Sequence, residues 1–450
     1  MRKLHLVLVV AVSSALSLAG GATGDPSSED QLQEHVTAIV TPSKAGGEAG
    51  GGARTREVEV LAHAYPGTGT NADVYAHRGY AYLGSWVGRG CLSSGVRVFD
   101  LQDPSSPQLV STFADAASEP DVARTWTEKV IVERVNTPAF RGDLAVVSFQ
   151  ACGRAGRLDP TVFRGFGLYD VTDPAAPHRL ALYATEPGVN GGSHEIWLER
   201  VGRRAYVYTA IPNSELRTSP DGVTPGLPDF RIIDVSDPAN PVQAGEWGAW
   251  RELGVHPTSG QGDFESTFVH SVRVDERAQR AYLSYWDLGT VILDISDPSH
   301  PVYLGRTSFG PDEQGDAHST WVTPNGKLLI ETHETEAGVP TFYDISDPAN
   351  PVRLSDFYVE GYETDTVHDP KARGNLAAFS WYSLGVVFAD ISNPSDPRFL
   401  AQFVPETDIV NPDFFCVPDE SCAQVWGVFL HRGYVLASDM NSGLWVLKLK

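Results

Sequence analysis

The stretch Ile292-Leu-Asp-Ile-Ser-Asp-Pro298 decides the fold, because six versions of it recur along the chain. Alternating aliphatic residues predict a half-buried strand. The Asx-Pro step ends that strand, since the Asx side chain caps a turn and proline fixes φ. A further proline, such as Pro301, opens the next strand, where a missing N–H is tolerated. The six versions begin at Val98, Leu168, Ile232, Ile292, Phe342 and Phe388.

A shorter hairpin pattern precedes each of these phrases. One example runs from Ser271-Val-Arg-Val-Asp275 to Ala281-Tyr-Leu283. Each unit therefore holds four antiparallel strands, and four strands per 45–70 residues are typical of a propeller blade. The inner hairpins lie near residues 73, 130, 195, 271, 319, 369 and 427. The acidic turns could also be interpreted as calcium loops, but turn chemistry explains each of their residues.

The two ends of the repeat region complement each other. The last unit stops at its third strand, Leu444 to Leu449, while a spare strand at residues 57–63 precedes the first unit. Pairing them removes two exposed sheet edges. The sequence therefore predicts an all-β, seven-bladed β-propeller over residues 57–450. Its blades are four-stranded and antiparallel, and the N-terminal strand completes the last blade and closes the ring.

The repeat unit resembles a known family. Ala281-Tyr-Leu283, then Gly289, then Ile292 to Pro298 is similar to the LVIVD repeat of bacterial and archaeal β-propellers. The resemblance extends over nearly all of residues 57–450. It implies an exported or surface-associated propeller, and it implies no catalytic residues.

The region before the repeats predicts export. Arg2 and Lys3 precede an apolar run from Leu4 to Leu18 and then small residues, which is typical of a signal peptide over residues 1–24. Residues 25–56 are polar and rich in Gly, Ala and Ser, and this predicts a disordered linker. We therefore expect a secreted protein, with no stable membrane insertion after the signal is cleaved. The net charge of -23 disfavours nucleic acid as a partner.

The four cysteines suit an oxidising compartment. Cys416 and Cys422 enclose a short loop, and Cys91 and Cys152 fall in matching loops of adjacent units. We expect the disulfides Cys91–Cys152 and Cys416–Cys422, although two other pairings of four cysteines remain open.

The long connections fall on one face of the predicted ring. They lie before the first strand of a unit or between its second and third strands, and these positions open on the same face. The turns on the other face are short. Because long loops tend to carry function, the sequence predicts a binding face around the central channel. The long segments are residues 115–128, 153–166, 184–193, 212–229, 249–266 and 405–424.

Four histidines occupy one register of the inner strands and predict a site at the channel mouth. They are His194, His270, His318 and His368. Imidazoles with carboxylates nearby suit a divalent transition metal such as Zn, Cu, Fe or Mn. Alternatively, each histidine is a structural residue of the repeat that caps a strand end. Further candidate ligand-binding residues are Glu195, Asp316, Asp365, Asp369, Glu331, His333 and Trp426, and Glu334 is a further candidate next to His333.

Two main functions remain open on the sequence alone, and a third possibility is a cell-surface adhesion module, for which we identify no anchor motif. The first is a secreted binding or scaffold propeller, expected to be monomeric, that recognises a protein, peptide or small-molecule ligand on the loop-rich face. The alternative is a metalloenzyme, an oxidase or hydrolase, that uses a His-ligated metal at the channel mouth. We identify no nucleophile elbow, phosphate-binding glycine loop or zincin motif. Whether the protein is an enzyme, and with which cofactor, is therefore undecided at this level.

Overall fold

The computed structural model describes residues 56–67, 69–86, 94–186, 191–260, 265–275, 277–310, 315–334, 338–406, 409, 411 and 422–450. Within these residues the strands form seven small antiparallel sheets. The innermost strand of each sheet contacts that of the next, and the seventh contacts the first. The protein is therefore a seven-bladed β-propeller, as predicted. The predicted signal peptide, and the predicted linker up to residue 55, lie outside the described residues.

The first three blades follow the chain after the N-terminal strand β1 (Val58–Ala64). Blade one contains β2 (Thr70–His77), β3 (Tyr80–Trp86), β4 (Val96–Asp100) and β5 (Gln108–Phe113). Blade two contains β6 (Thr125–Trp126), β7 (Val130–Asn136), β8 (Arg141–Ala151), β9 (Gly165–Asp170) and β10 (His178–Ala184). Blade three contains β11 (Ile196–Val201), β12 (Arg204–Ala210), β13 (Phe230–Asp234) and β14 (Val242–Trp247).

The remaining blades are more compact. Blade four contains β15 (Ser271–Asp275), β16 (Arg280–Ser284), β17 (Thr290–Asp294) and β18 (Val302–Arg306). Blade five contains β19 (Ala317–Val322), β20 (Leu328–His333), β21 (Thr341–Asp344) and β22 (Val352–Asp356). Blade six contains β23 (Asp369–Arg373), β24 (Leu376–Trp381), β25 (Gly385–Asp390) and β26 (Arg398–Phe403). Blade seven contains β27 (Val425–His431), β28 (Tyr434–Asp439) and β29 (Gly443–Leu449), and β1 is its outer strand.

The ring closes through a strand from each end of the described chain. Strand β1 pairs antiparallel with β29, from Val58 opposite Leu449 to Ala64 opposite Leu444. This confirms the predicted closure, with the strand shifted by one residue from 57–63. β1 and β29 lie hundreds of residues apart in the chain, and their ladder joins the two ends of the ring. The ring can therefore open at this point only if the whole ladder separates.

The recurring phrase forms the third strand of each blade and the turn after it. In blade four, the Asp294 carboxylate accepts a hydrogen bond from the Ser296 N–H at 2.8 Å. The Asp297 carboxylate accepts one from the Ser299 N–H at 3.0 Å. The Asx residues therefore cap the strand end and the turn, as their spacing predicted.

Short helices decorate one face of the ring. The first strand of a blade begins, and the second ends, at the same face, so connections at those points share it. The helices that lie in such connections are η1 (Pro120–Val122), α1 (Gly153–Leu158), α2 (Ser214–Arg217), α3 (Ala249–Leu253) and η2 (Tyr362–Thr364). We call this the loop-rich face. Among the described residues, no helix has both the length and the apolar character needed to cross a membrane.

Candidate metal centre at the channel mouth

A β-bulge at the start of the inner strand turns an extra side chain toward the channel. The N–H of His194 donates to the Ala210 carbonyl at 3.0 Å, and the Ala210 N–H donates to the Glu195 carbonyl at 2.9 Å. Two residues therefore oppose one. The same irregularity interrupts the ladder between Ala317 and Ser319, at His318. A bulge leaves its extra residue outside the ladder and re-aims its side chain.

The seven blades together place one residue each at this position. We call these residues the register ring: Ala72, Glu128, His194, His270, His318, His368 and Trp426. Blade two was ambiguous in the sequence, and the structure assigns Glu128 to it. The residue after Glu128 is Lys129. It lies at the same depth in the channel as Asp73 and Glu195, which follow the register-ring residues of the flanking blades. Its ammonium pairs with Asp73 at 2.6 Å and with Glu195 at 2.9 Å.

The four histidines form a continuous chain of contacts, which we call the imidazole arc. The Nε2 atoms of His194 and His270 lie 2.8 Å apart. The ring centroids of His270 and His318 are 4.0 Å apart, and those of His318 and His368 are 4.6 Å apart. The His368 ring then lies 4.2 Å from the Trp426 ring. All four imidazoles are buried.

Main-chain carbonyls hold three of the imidazoles through Nδ1. His270 Nδ1 lies 3.2 Å from the His318 carbonyl, and His318 Nδ1 lies 3.0 Å from the His368 carbonyl. His368 Nδ1 lies 2.6 Å from the Trp426 carbonyl. A carbonyl oxygen only accepts, so each Nδ1 donates, and Nε2 keeps the lone pair in the neutral ring. Metal-ligating histidines are held in this way.

Glu334 follows β20 and brings a carboxylate to the arc. Its Oε2 lies 3.0 Å from His318 Nε2, and its Oε1 lies 4.0 Å from His368 Nε2. The Tyr382 hydroxyl donates to Oε1 and orients the group. One ligand atom each from His270, His318 and Glu334 lie within 4.8 Å of one another. Ligands at ordinary distances from one tetrahedral ion are about 3.4 Å apart, so a small closure would place all three on a metal.

Several polar atoms in this cluster have no hydrogen-bond partner among the described residues. They are Glu128 Oε2, His318 Nε2, Glu334 Oε2 and His368 Nε2. His318 Nε2 and Glu334 Oε2 lie within ion-pair distance, but their angles do not form a hydrogen bond. Such buried atoms are costly unless something binds them. Each of them offers a lone pair when the imidazoles are neutral and the carboxylates are ionised, and that is the form a cation requires.

Burial sets the charge state of the arc. It lowers the pKa of His194 to about 3. Burial, and then the neighbouring His318, also lower the pKa of His270 and of His368 well below the usual value. Burial opposes charge on His318 as well, but the Glu334 carboxylate outweighs it and raises the pKa of His318. Three imidazoles are therefore neutral near pH 7, the form that binds metals.

At the other end of the arc, Glu128 and Gln150 contact His194. Glu128 Oε2 lies 3.2 Å from His194 Nδ1, and the Gln150 amide also contacts that nitrogen. Burial, and then the nearby Glu195, raise the pKa of Glu128 well above the usual value. The Trp126 indole donates to the Gln150 carbonyl oxygen. These contacts fix His194 between polar partners.

Below the register ring, the channel holds a layer of balanced charges. Asp73, Lys129, Glu195, Asp369 and Lys371 line a cavity of about 30 Å³, room for about one water molecule. Burial raises the pKa of Glu195 to about 7. Lys371 pairs with Asp369. The predicted ligand residues Glu195 and Asp369 therefore belong to this layer, one step below the histidines.

A cation–π sandwich lies deeper in the channel. The Arg273 guanidinium lies 3.6 Å from the centroid of the Trp197 ring and 4.1 Å from that of Trp321. Arg273 lines the same cavity. Bulky side chains therefore fill the channel on the side away from the histidines.

The other predicted ligand residues serve different contacts. Glu331 accepts hydrogen bonds from the Thr290 N–H at 2.9 Å and the Thr307 hydroxyl at 2.7 Å, and it thereby joins blades four and five. His333 Nδ1 donates to the Gly315 carbonyl at 2.8 Å. Asp365 accepts from the Ser383 N–H at 2.6 Å. These three residues support the loop-rich face.

Asp316 and Trp426 are the last two of the predicted ligand-binding residues. Asp316 is buried with a left-handed φ of 65°, directly before β19. Trp426 is a member of the register ring, beside His368. The predicted cysteine pairs stay predictions, because Cys91 and Cys416 lie outside the described residues.

The sequence did not identify Glu128, Gln150 or Tyr382 as site residues. The run Val130-Ile-Val132 hid the register of blade two, because any of its aliphatic residues could mark the start of the inner strand. Gln150 and Tyr382 end second strands, and their approach to the arc depends on neighbouring blades. Aligning Lys129 with Glu195 would have placed Glu128 in the register of His194, and this was the one sequence signal for Glu128 as a site residue.

Comparison with known proteins supports the repeat assignment. The LVIVD repeat family model matches residues 228–247, 280–308 and 376–403. No curated protein matches the sequence. Among solved structures, the chain is similar to the crystal structure of the computationally designed Ika8 protein. The TM-score is 0.48 at 8% identity, over 86% of this chain and 98% of that chain. The three matched segments lie in blades three, four and six, and the chain is a β-propeller with LVIVD repeats, consistent with the LVIVD repeat family.

Proposed function

We propose that this protein is a binding propeller that holds a divalent transition metal at the channel mouth, with His270, His318 and Glu334 as its core ligands. One observation carries the proposal. Three ligand atoms from these buried side chains lie within 4.8 Å of one another. Two of them, His318 Nε2 and Glu334 Oε2, lie 3.0 Å apart as an ion pair, and neither has a hydrogen-bond partner among the described residues.

The donor set favours particular metals. Imidazole nitrogens with one carboxylate suit Zn, Cu, Fe or Mn, whereas Ca²⁺ and Mg²⁺ prefer oxygen ligands alone. His368 Nε2 is also unpartnered among the described residues and lies 4.0 Å from Glu334 Oε1, beside the three core ligands. His194 touches His270 and supports the arc from the next blade.

A purely structural role accounts less well for the arc. A histidine that caps a strand end satisfies its nitrogens within the protein. Here the Nδ1 atoms of His318 and His368 are satisfied and their Nε2 atoms are not. Leaving a buried polar atom unpaired costs about 1–3 kcal/mol. A bound cation would offset that cost at several atoms together.

The metal site is part of a wider proposal. We propose that the protein is exported, and that the loop-rich face around this site is its binding surface. The helices of the long connections lie on that face, and the residues of the register ring lie at the same end of the channel. The metalloenzyme alternative stays a prediction.

Elemental analysis tests the metal site. The wild-type protein, purified without a His tag and reconstituted with Zn²⁺, should hold about one metal ion per chain. The variant His270→Ala/His318→Ala should hold none. A matched control is His178→Ala/His300→Ala, which removes two exposed histidines and should keep the metal.

Two outcomes would overturn the proposal. One is the absence of bound metal in the wild type after reconstitution with each of the four metals. The other is equal metal in the wild type and the arc variant. Circular dichroism distinguishes metal loss from unfolding, and His270→Gln/His318→Gln offers a less disruptive pair. In thermal unfolding, Zn²⁺ at a hundred times its Kd should stabilise the wild type by about 2.7 kcal/mol.

A further inference from the structure

Two tryptophans flank the imidazole arc with unpartnered indole N–H groups. The Trp286 ring lies 5.4 Å from the His270 ring and 6.3 Å from the His318 ring, between centroids. The Trp426 ring lies 4.2 Å from the His368 ring. Both side chains are buried, and neither Nε1 has a hydrogen-bond partner in the part of the chain that the structure describes. One indole with an unsatisfied donor therefore lies beside His270 and His318, and another lies beside His368.

Other indoles of the protein do have partners. Trp321 Nε1 donates to the Ala372 carbonyl at 2.9 Å, and Trp445 Nε1 donates to the Ser442 hydroxyl at 2.9 Å. Trp197 Nε1 donates to Glu199 at 3.1 Å. Trp381 is an exception, since its Nε1 is unpartnered within the core between blades five and six. Of the three buried indole N–H groups that lack a partner among the described residues, two therefore lie at one site.

The unsatisfied atoms of this site are of two opposite kinds. His318, His368 and Glu334 present lone pairs, which a metal ion satisfies. Trp286 and Trp426 present N–H groups, which a metal ion cannot satisfy because they need an acceptor. A metal that carries an anion with free oxygen lone pairs satisfies both kinds.

We infer that the metal of this site takes a small carboxylate as an exogenous ligand, with the carboxylate oxygens accepting from the indole N–H groups of Trp286 and Trp426. This rests on the proposed metal site. A tetrahedral metal held by His270, His318 and Glu334 keeps its fourth position for such a ligand, as open metal sites do. The anion must be small, because the residues around the arc are almost entirely buried.

Charge supports an anionic ligand at a site that is otherwise nearly balanced. A divalent ion bound by neutral imidazoles and the one carboxylate of Glu334 keeps a net positive charge in its ligand shell. Hydrogen bonds to a charged acceptor are stronger than those to water. A carboxylate therefore competes well with solvent for the position.

Spectroscopic titration of the Co²⁺-loaded full-length protein tests this inference, with acetate as the probe. Acetate should shift the visible absorption bands of the bound Co²⁺ and saturate. Trp286→Phe and Trp426→Phe keep the aromatic ring and remove the N–H. Each should weaken acetate binding roughly tenfold and leave the Co²⁺ stoichiometry unchanged.

Trp381→Phe is the matched control. It also removes a buried indole N–H that lacks a partner, but among the described residues the Trp381 ring makes no ring contact with the arc. It should leave acetate binding unchanged. If Co²⁺ binds but acetate leaves the spectrum unchanged, the position holds solvent only and the inference is wrong, while the metal site stands. If Trp286→Phe and Trp426→Phe bind acetate as tightly as the control Trp381→Phe, the inference is also wrong. Failure to bind Co²⁺ at all would instead overturn the metal site itself.

Discussion

The Nε2 atoms of His194 and His270 lie 2.8 Å apart, although 76 positions separate the two residues in the chain. They belong to blades three and four, and each follows a long connection on the loop-rich face. At this distance the two nitrogens share one hydrogen or one cation. The contact depends on the packing of neighbouring blades around a closed ring.

Replacement of Glu334 should separate ligand loss from structural loss. In Glu334→Gln, the carbonyl oxygen can still accept from Tyr382, and the amide can donate to His318, so we expect the fold to persist. Metal affinity should fall at least about a hundredfold, since even indirect partners of metal ligands account for ten- to a hundredfold. Isothermal titration with Zn²⁺ measures the change.

Glu331→Ala is the matched control for Glu334. Glu331 binds Thr290 and Thr307 between blades, so its loss should lower the free energy of unfolding by about 3 kcal/mol and leave metal stoichiometry intact. If Glu331→Ala loses the metal and Glu334→Gln keeps it, our choice of carboxylate ligand is wrong.

Removal of the closing strand should destabilise the ring. A chain that begins at residue 66 lacks β1 and exposes the edge of β29, whereas a chain that begins at residue 56 keeps both. The shorter chain loses a full ladder and the half-buried apolar side chains of β1, so we expect a loss of about 3 kcal/mol or more. Calorimetry and sedimentation compare the two chains. Equal unfolding temperatures would show that closure contributes little.

The buried Asp365 should make stability depend on pH. Burial raises its pKa to about 6, against about 3.9 in an unfolded chain. The folded state therefore binds this proton more tightly, and stability falls as pH rises from about 4 to about 6, by up to about 3 kcal/mol. In Asp365→Asn, this part of the fall should disappear. Urea unfolding at about pH 4 and about pH 7.5 measures it.

The control for Asp365 is Asp297→Asn on the opposite face. Hydrogen bonds from Ser299 lower the pKa of Asp297, so its carboxylate is ionised above about pH 5 whether the chain is folded or not. Its replacement should leave the pH dependence above that value unchanged. An identical fall in the wild type and Asp365→Asn would contradict the assignment.

The cysteine pairing gives a prediction from sequence alone. Peptide mapping of the unreduced protein should recover Cys91 linked to Cys152 and Cys416 linked to Cys422. The first pair would join two loops of the loop-rich face, and the second would close a loop of five residues between its cysteines. Recovery of either alternative pairing, or of free thiols, would contradict it.

Much of the architecture was predictable because its determinants are local. The alternation in Ile292 to Pro298 sets a strand and its turn, and the repetition of that unit sets the number of blades. The closing role of residues 57–63 followed from counting strands. The shared register of the four histidines was also predictable, since each occupies the same position in a repeat.

The site itself depended on packing that spacing does not encode. Glu334 and Glu331 lie three positions apart, yet one faces the arc and the other joins two blades. Alternation along a strand already puts residues three positions apart on opposite sides, but which of the two carboxylates reaches the arc depends on how the neighbouring blades pack beyond the end of β20. The register position of Glu128 became clear only from the structure, in which the next residue, Lys129, pairs with Asp73 and Glu195.

The sequence by itself determined the repeating strands, their number, the closure of the ring and the common register of His194, His270, His318 and His368. These properties follow from hydrophobic alternation and turn chemistry, which act over a few residues. Only the tertiary structure decided that the imidazoles touch one another, that main-chain carbonyls hold their Nδ1 atoms, and that Glu334 joins them. Those contacts cross between blades, so they exist only where the closed ring brings distant segments together.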